Sequence, residues 1–266
     1  MKKTFLVILL CVITGIGVFA QTRPNKALYL NTAFSFGLTN AYDNGAVPFY
    51  INGVSTMRSF GASYEWKRYE THFDFRKIST TLFDPNGTCT TFDLDYDFLY
   101  RIHDSENGRW HQWIGGDIYT LADIRQIPSL QNASTNLSFF SNLGFTWKAE
   151  YDFAYNKEKT HHWLTAYNKV NLPLVGLAYR PDYSYVCDAI GMTETFGVLF
   201  ANHHTFAKCL PGCNTELGLR LNFKNGNRIA FNYRWDFVTT GHKDYYSYVN
   251  ALHSFNITLL FNLYRK

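Results

Sequence analysis

Asp93, Asp95 and Asp97 form a tight run of carboxylates spaced two residues apart. On an extended strand, residues i, i+2 and i+4 share one face, so these three would stand side by side. Such a group has two chemical uses. Two carboxylates beside a histidine can activate water by general-base catalysis, and His203 and His204 would have to come from elsewhere in the chain. Alternatively, a wall of carboxylates meets a wall of cations and forms an ion-paired network. Arginine suits that role because its planar fork stays charged and holds two oxygens at once. Without cations nearby, the three would repel strongly in a dry interior. The cations are present: Arg220, Lys224, Arg228 and Arg234 gather toward the C-terminus, while Asp74, Asp117, Asp123, Glu150 and Asp152 extend the acidic set.

The elements that would hold these residues are alternating strands. From Ile229 to Phe237, large apolar residues at every second position (Ile229, Phe231, Tyr233, Trp235, Phe237) are separated by Ala230, Asn232, Arg234 and Asp236. The pattern makes one greasy face and one wet face. It recurs about ten times, roughly at Ala27–Thr39, Arg58–Trp66, Thr71–Thr80, Thr91–His103, Trp110–Arg125, Leu137–Phe153, His162–Val175, Thr215–Lys224, Ile229–Phe237 and the stretch closing the chain through Phe255, Ile257, Leu259, Phe261 and Leu263. The fold class expected is all-β: a closed antiparallel transmembrane β-barrel of about ten strands with short periplasmic turns and long outer loops. In such a ring the fourth strand faces the ninth. Asp93, Asp95, Asp97, Arg101, Lys148, Glu150, Arg220, Arg228, Arg234 and Asp236 would then form one charge network in the lumen.

The N-terminus supports export. Lys2 and Lys3 precede an apolar run from Phe5 to Phe19, and Val18-Phe19-Ala20 reads as a cleavage site, so residues 1–20 are expected to be a signal peptide and 21–266 the barrel domain. Gly15 and Gly17 weaken the rival reading of a membrane anchor, and the apolar run continues past Cys11, against lipidation. Losing Lys2 and Lys3 lowers even the modest formal charge of +4, which gives no sign of a nucleic-acid partner. The aromatic content of 18% is high for a soluble domain and suits a lipid-facing band with interfacial girdles. A soluble β-sandwich also has alternating strands, but these run longer, their apolar faces are strongly aromatic, and connections alternate in length. Short ones fall near Lys67–Glu70, His103–Arg109, Tyr155–Thr160 and Lys224–Asn227. Long ones fall at Asn40–Thr56, Leu82–Cys89, Gln126–Asn136, Gly176–Asn214 and Thr240–Asn250. Counting Phe196–Phe206 as a further strand would break the parity, so it is expected inside the fourth outer loop.

The stretch Asn168-Lys169-Val170-Asn171-Leu172-Pro173-Leu174-Val175-Gly176-Leu177, with the closing strands, resembles an uncharacterised family of small outer-membrane barrels of Bacteroidota-type bacteria. The resemblance covers roughly the C-terminal 100 residues and implies fold and location, with no assigned activity. The chain's end departs from the usual terminal Phe of such barrels, since Tyr264 is followed by Arg265 and Lys266. Asp93-Leu94-Asp95 is similar to one half of the site of omptin proteases, which are also ten-stranded. The other half, an Asp two residues before a His, is absent: Ala201 precedes His203 and Asn202 precedes His204 at that spacing. A lipid-modifying barrel enzyme would need Ser, His and an acid within reach. Neither His253-Ser254, whose side chains point to opposite faces, nor the turn His103-Asp104-Ser105 provides that. A structural or binding role, or limited small-solute transport through a charge-filled lumen, is therefore expected ahead of an outer-membrane hydrolase with a site at the outer rim.

Cys89, Cys187, Cys209 and Cys213 remain after cleavage and all fall in expected outer loops, where an even count in an exported chain favours disulfides of unreadable connectivity. Free thiols and a zinc site built from His203, His204, Cys209 and Cys213 are the alternatives, and adjacent histidines make an awkward ligand pair. No cofactor motif appears. The expected partners are outer-membrane lipid, the barrel-assembly machinery during biogenesis, and an extracellular ligand at the fourth loop.

Overall fold

The computed structural model describes residues 26–43, 47–84, 86–129, 135–153, 162–181, 203–208, 212–240 and 247–265. The expected signal peptide and the centre of the fourth loop lie outside them. Strands dominate: β1 (Lys26–Asp43), β2 (Val47–Trp66), β3 (Tyr69–Asp84), β4 (Asn86–Asp104), β5 (Trp110–Gln126), β6 (Thr135–Phe153), β7 (Leu164–Pro181), β8 (His203–Lys208), β9 (Gly212–Asn222), β10 (Arg228–Thr239) and β11 (Tyr248–Arg265). Each pairs antiparallel with its neighbours, and the β1–β11 and β6–β7 pairings close the sheet on itself. Closure pairs the wall all the way round, the condition for sheet to cross a membrane, and among the described residues only β8 pairs on one side alone, with β7. Followed once round the wall, the pairing returns to β1 roughly a dozen residues further along, so every strand is steeply tilted.

Eleven strand segments occupy ten places in the wall. β8 pairs with the loop-end part of β7 (Gly176↔Lys208) and β9 with the turn-end part (Asn171↔Asn214), running in the same direction. They are two lengths of one wall strand. This corrects the expectation that residues to Phe206 belong wholly to the fourth loop: His203–Phe206 continue the wall, and parity survives because no reversal separates β8 from β9. The strands also extend further than apolar alternation suggests. Most of the expected loop 40–56 is β1 and β2, and most of 82–89 is β3 and β4. Small and polar residues interrupt the alternation there, and Ile51, Leu82 and Cys89 turn inward into a buried cluster with Ile127, so the ladder continues where the outward hydrophobic pattern stops.

The polarity is inverted relative to a soluble protein. Phe36, Phe60, Leu174, Leu217 and Phe255 point outward and are at least 60% exposed, while Asp43, Asp95, Thr146 and Arg180 point inward with none of their surface accessible. An apolar outer band over a charged interior is the arrangement of a membrane-spanning barrel. Pro173, which has no N–H to donate, sits where the β6–β7 register slips at Leu143/Gly144.

Gly115 shows how tightly the wall packs. A Cβ there would lie 1.9 Å from the Phe98 carbonyl oxygen and 2.9 Å from the Leu99 Cα, both backbone atoms that cannot swing away. Gly115→Ala should therefore lower the urea midpoint of the folded barrel, by about 1–3 kcal/mol or more in stability. An unchanged midpoint would show that β4 and β5 approach less closely than this.

Candidate functional site

Inward residues stack in levels between the turn end and the loop end. At the turn end, Lys148 (β6) donates to both Glu70 oxygens (β3) at 2.6 and 2.8 Å and pairs with Glu150 at 3.0 Å. Arg220 (β9) reaches the same Glu150 at 3.0 Å. Arg228 (β10) forks onto Glu65 (β2), its Nη2 donating to Oε2 at 3.1 Å, with its guanidinium 4.2 Å from the Tyr29 ring centre. Arg101, expected among the lumen charges, does something else. It lies at the rim, pairs with Asp104 at 3.6 Å and donates to the Lys67 carbonyl at 2.8 Å.

The middle level joins β4 to β10 across the lumen, as the ring order requires. Arg76 (β3) donates through Nε to Asp93 at 2.8 Å and through Nη1 to Asp236 at 3.0 Å. Arg234 donates to Asp236 at 2.7 Å and to Asp95 at 3.1 Å. Lys169 (β7) pairs with Asp97 and lies 3.9 Å from Asp95. Asn171 and Thr146 donate to Asp97 at 3.2 and 3.3 Å, and Thr146 also to Asp117 at 3.0 Å. Between these two levels lies a cavity of about 130 Å³ lined by residues that include His72, Lys169, Arg220, Glu216 and Asn232. It has room for several waters.

Above the middle level the lumen turns apolar. Met57, Ile78 and Leu252 form one buried cluster, and Tyr119, Leu121, Phe140, Ala178, Val238 and Tyr248 another. Together they reach inward from β2, β3, β5, β6, β7, β10 and β11 and make a septum. The space left beside it is about 20 Å³, room for about one water.

The loop-end level is a latch. Arg180 (β7) grips Asp43 (β1) with both terminal nitrogens, Nη1 donating to Oδ2 at 3.0 Å, and also donates to Ser138. Arg125 (β5) pairs with Asp43 at 3.2 Å and with Asp123 at 2.7 Å. The ring of Tyr248 (β11) lies beside both guanidiniums, 4.9 Å from that of Arg125 and 4.8 Å from that of Arg180, and its hydroxyl donates to Asp123 at 3.1 Å. Cation–π contact with two desolvated cations fixes that ring in place.

Of the residues singled out from sequence, Asp93, Asp95, Asp97, Arg234 and Asp236 thus meet in one level, and Lys148, Glu150, Arg220 and Arg228 lie in another. Arg76 was legible by the same two-residue period, since Phe73 and Phe75 flank Asp74 and Arg76 in the outward register. Arg180 and Asp43 were not, because both lie in segments expected to be loops. Asp93 and Asp95 do not reach the outer rim, as an omptin-like site would need. They sit below the septum, bound to Arg76, Arg234 and Lys169, because their strand begins nearer the loop end than its apolar pattern does. The side chains of His203 and His204 lie outside the described residues. Cys89 is not in a loop either: it is a buried free thiol on β4 donating to Asp123 Oδ1 at 2.6 Å. Cys213, on β9, is also a free thiol, and Cys187 and Cys209 lie outside the described residues. Among the described residues no three His, Cys, Asp or Glu side chains are grouped to hold a metal ion.

No family model matches the chain, and no curated protein matches it. Among solved structures, Neisserial surface protein A is 8% identical over 88% of this chain and 97% of its own, with a TM-score of 0.39. The translocator domain of the autotransporter NalP from Neisseria meningitidis is 9% identical over 98% and 95%, at 0.34. The TodX monoaromatic hydrocarbon channel is 7% identical over 91% and 90%, at 0.33. The ten-place barrel stands on the strand pairing of this chain itself.

Proposed function

We propose that the chain is an outer-membrane β-barrel of a Bacteroidota-type Gram-negative bacterium that keeps its lumen shut and serves a structural and binding role. The observation that carries this reading is the septum capped by the Arg125–Tyr248–Arg180 latch. A conducting porin needs a continuous aqueous path, and here apolar side chains from seven strands fill the lumen in two clusters above two levels of ion pairs, with space for about one water between them. Limited passage of small solutes would require these groups to move. Hydrolysis is disfavoured because Asp93 and Asp95 are each committed to cations, leaving neither to act as a general base. In this reading the partners are outer-membrane lipid, the assembly machinery during insertion, and a ligand at the fourth loop.

Single-channel recording in planar bilayers tests it. The wild type should give no current steps. The pair Phe140→Ala and Tyr248→Ala removes two rings whose centres stand 4.6 Å apart across the septum, and it should produce steps. Regular steps from the wild type would overturn the closed-lumen reading.

A further inference from the structure

The outer wall at the turn end carries a cluster that no lumen contact uses. β2 ends at Trp66 and β3 begins at Tyr69, joined only by Lys67 and Arg68. Lys67 has φ of 52°, in the left-handed region that is costly for a residue with a Cβ. Arg101 on β4 holds this tip in place. Its Nη2 donates to the Lys67 carbonyl at 2.8 Å, and its backbone N–H donates to the Arg68 carbonyl at 2.7 Å. The main chain that carries two exposed cations is thereby fixed, and the Arg68 guanidinium donates to the Tyr100 hydroxyl at 3.4 Å. A third joins them: Lys26 stands opposite Trp66 on β1, and the Lys26 and Lys67 ammoniums lie 5.7 and 5.8 Å from the Trp66 ring centre. Beside the cations, Trp66, Tyr69, Phe98 and Tyr100 make a continuous aromatic floor, with Tyr69 centred 5.8, 5.7 and 5.3 Å from the other three. All four rings are more than one-third exposed.

On a membrane-spanning barrel this level is the boundary between hydrocarbon and headgroups, where amphipathic rings gather. Three cations beside an apolar floor match a phosphodiester that carries acyl chains. The phosphate oxygens accept from Lys and Arg while the chains lie along the rings. A zwitterionic headgroup brings a cation of its own, which three clustered positive charges repel; an anionic headgroup brings none. The rim carboxylate Asp104 is already engaged by Arg101 at 3.6 Å and by His111. We infer that Lys26, Lys67 and Arg68 form a headgroup site for an anionic phospholipid of the leaflet facing the turns. The inference rests on the barrel spanning a bilayer, as proposed above.

The test is lipid retention by the full mature barrel, inserted into vesicles of phosphatidylcholine mixed equally with phosphatidylglycerol and then released into detergent for native mass spectrometry. Wild-type protein should keep phosphatidylglycerol at least about tenfold over phosphatidylcholine. Lys26→Gln with Lys67→Gln and Arg68→Gln should erase the preference while the barrel still migrates faster unheated than boiled. Inorganic phosphate at equal concentration should not displace the lipid, since it lacks the chains that the rings hold; displacement would mean that a free anion is the ligand and overturn the lipid assignment. Equal retention of both lipids by inserted wild type, or a preference that persists in the triple variant, would overturn the site alone. Failure to insert into vesicles at all would overturn the membrane-spanning reading beneath it.

Discussion

Arg180→Ala should destabilise the barrel by about 3–5 kcal/mol, read as a fall in the urea midpoint of vesicle-inserted protein. Arg180 is wholly buried and supplies Asp43, also wholly buried, with two of its donors. Removing it strips a buried carboxylate of its two-nitrogen grip and leaves Arg125 beside it at 3.2 Å. It also takes away one of the two guanidiniums beside the Tyr248 ring. Breaking a buried pair from one side is expensive because the desolvated partner stays behind. Removing both sides is cheaper, so Arg180→Met with Asp43→Asn should recover most of the loss. If the single and double variants unfold at the same urea concentration, the pair is not coupled and the latch is incidental.

The second large effect belongs to the middle level. Arg76→Met should cost about 3–5 kcal/mol, because Asp93 loses both contacts to its guanidinium while Asp236 keeps Arg234. The turn-end pair offers an internal comparison. Arg228→Gln should cost only about 1 kcal/mol, since Glu65 there retains about a quarter of its surface in contact with water. The order of the two effects matters more than either size. If Arg228→Gln proves as damaging as Arg76→Met, the interior is not graded from wet at the turns to dry at the septum.

What could be read from the residues was whatever obeyed the two-residue period. Phe92, Leu94 and Tyr96 sent outward force Asp93, Asp95 and Asp97 inward, and the ring order then places them opposite Arg234 and Asp236. Those five do share one level. The septum was hidden for the same reason. Leu121, Phe140 and Val238 are apolar residues on the wet face, and a pattern that equates apolar with outward cannot find them. Asp43 and Arg180 lay in stretches whose Thr, Asn, Gly and Ser content reads as loop, although hydrogen-bonded ladders carry strands through such composition. Arg101 had the right parity for the lumen but sits at the rim, where a register slip between Arg101 and His103 lets it serve the β2–β3 tip instead. Depth along the barrel, unlike facing, depends on where each strand truly begins, and turn residues with short polar side chains leave that open.

The proposition beneath all of this is that the aromatic outer wall meets hydrocarbon while the charged face meets a closed lumen. Two single-tryptophan proteins decide it in vesicles whose acyl chains carry bromine, a contact quencher. One keeps only Trp235, which stacks on Phe237 along the outer face of β10, with ring centres 5.6 Å apart; the other keeps only Trp113, which points inward beneath the Lys148 ammonium at 5.1 Å. Strong quenching of Trp235 with Trp113 unaffected is the expected result. Quenching of Trp113 with Trp235 spared, or of neither, would contradict it.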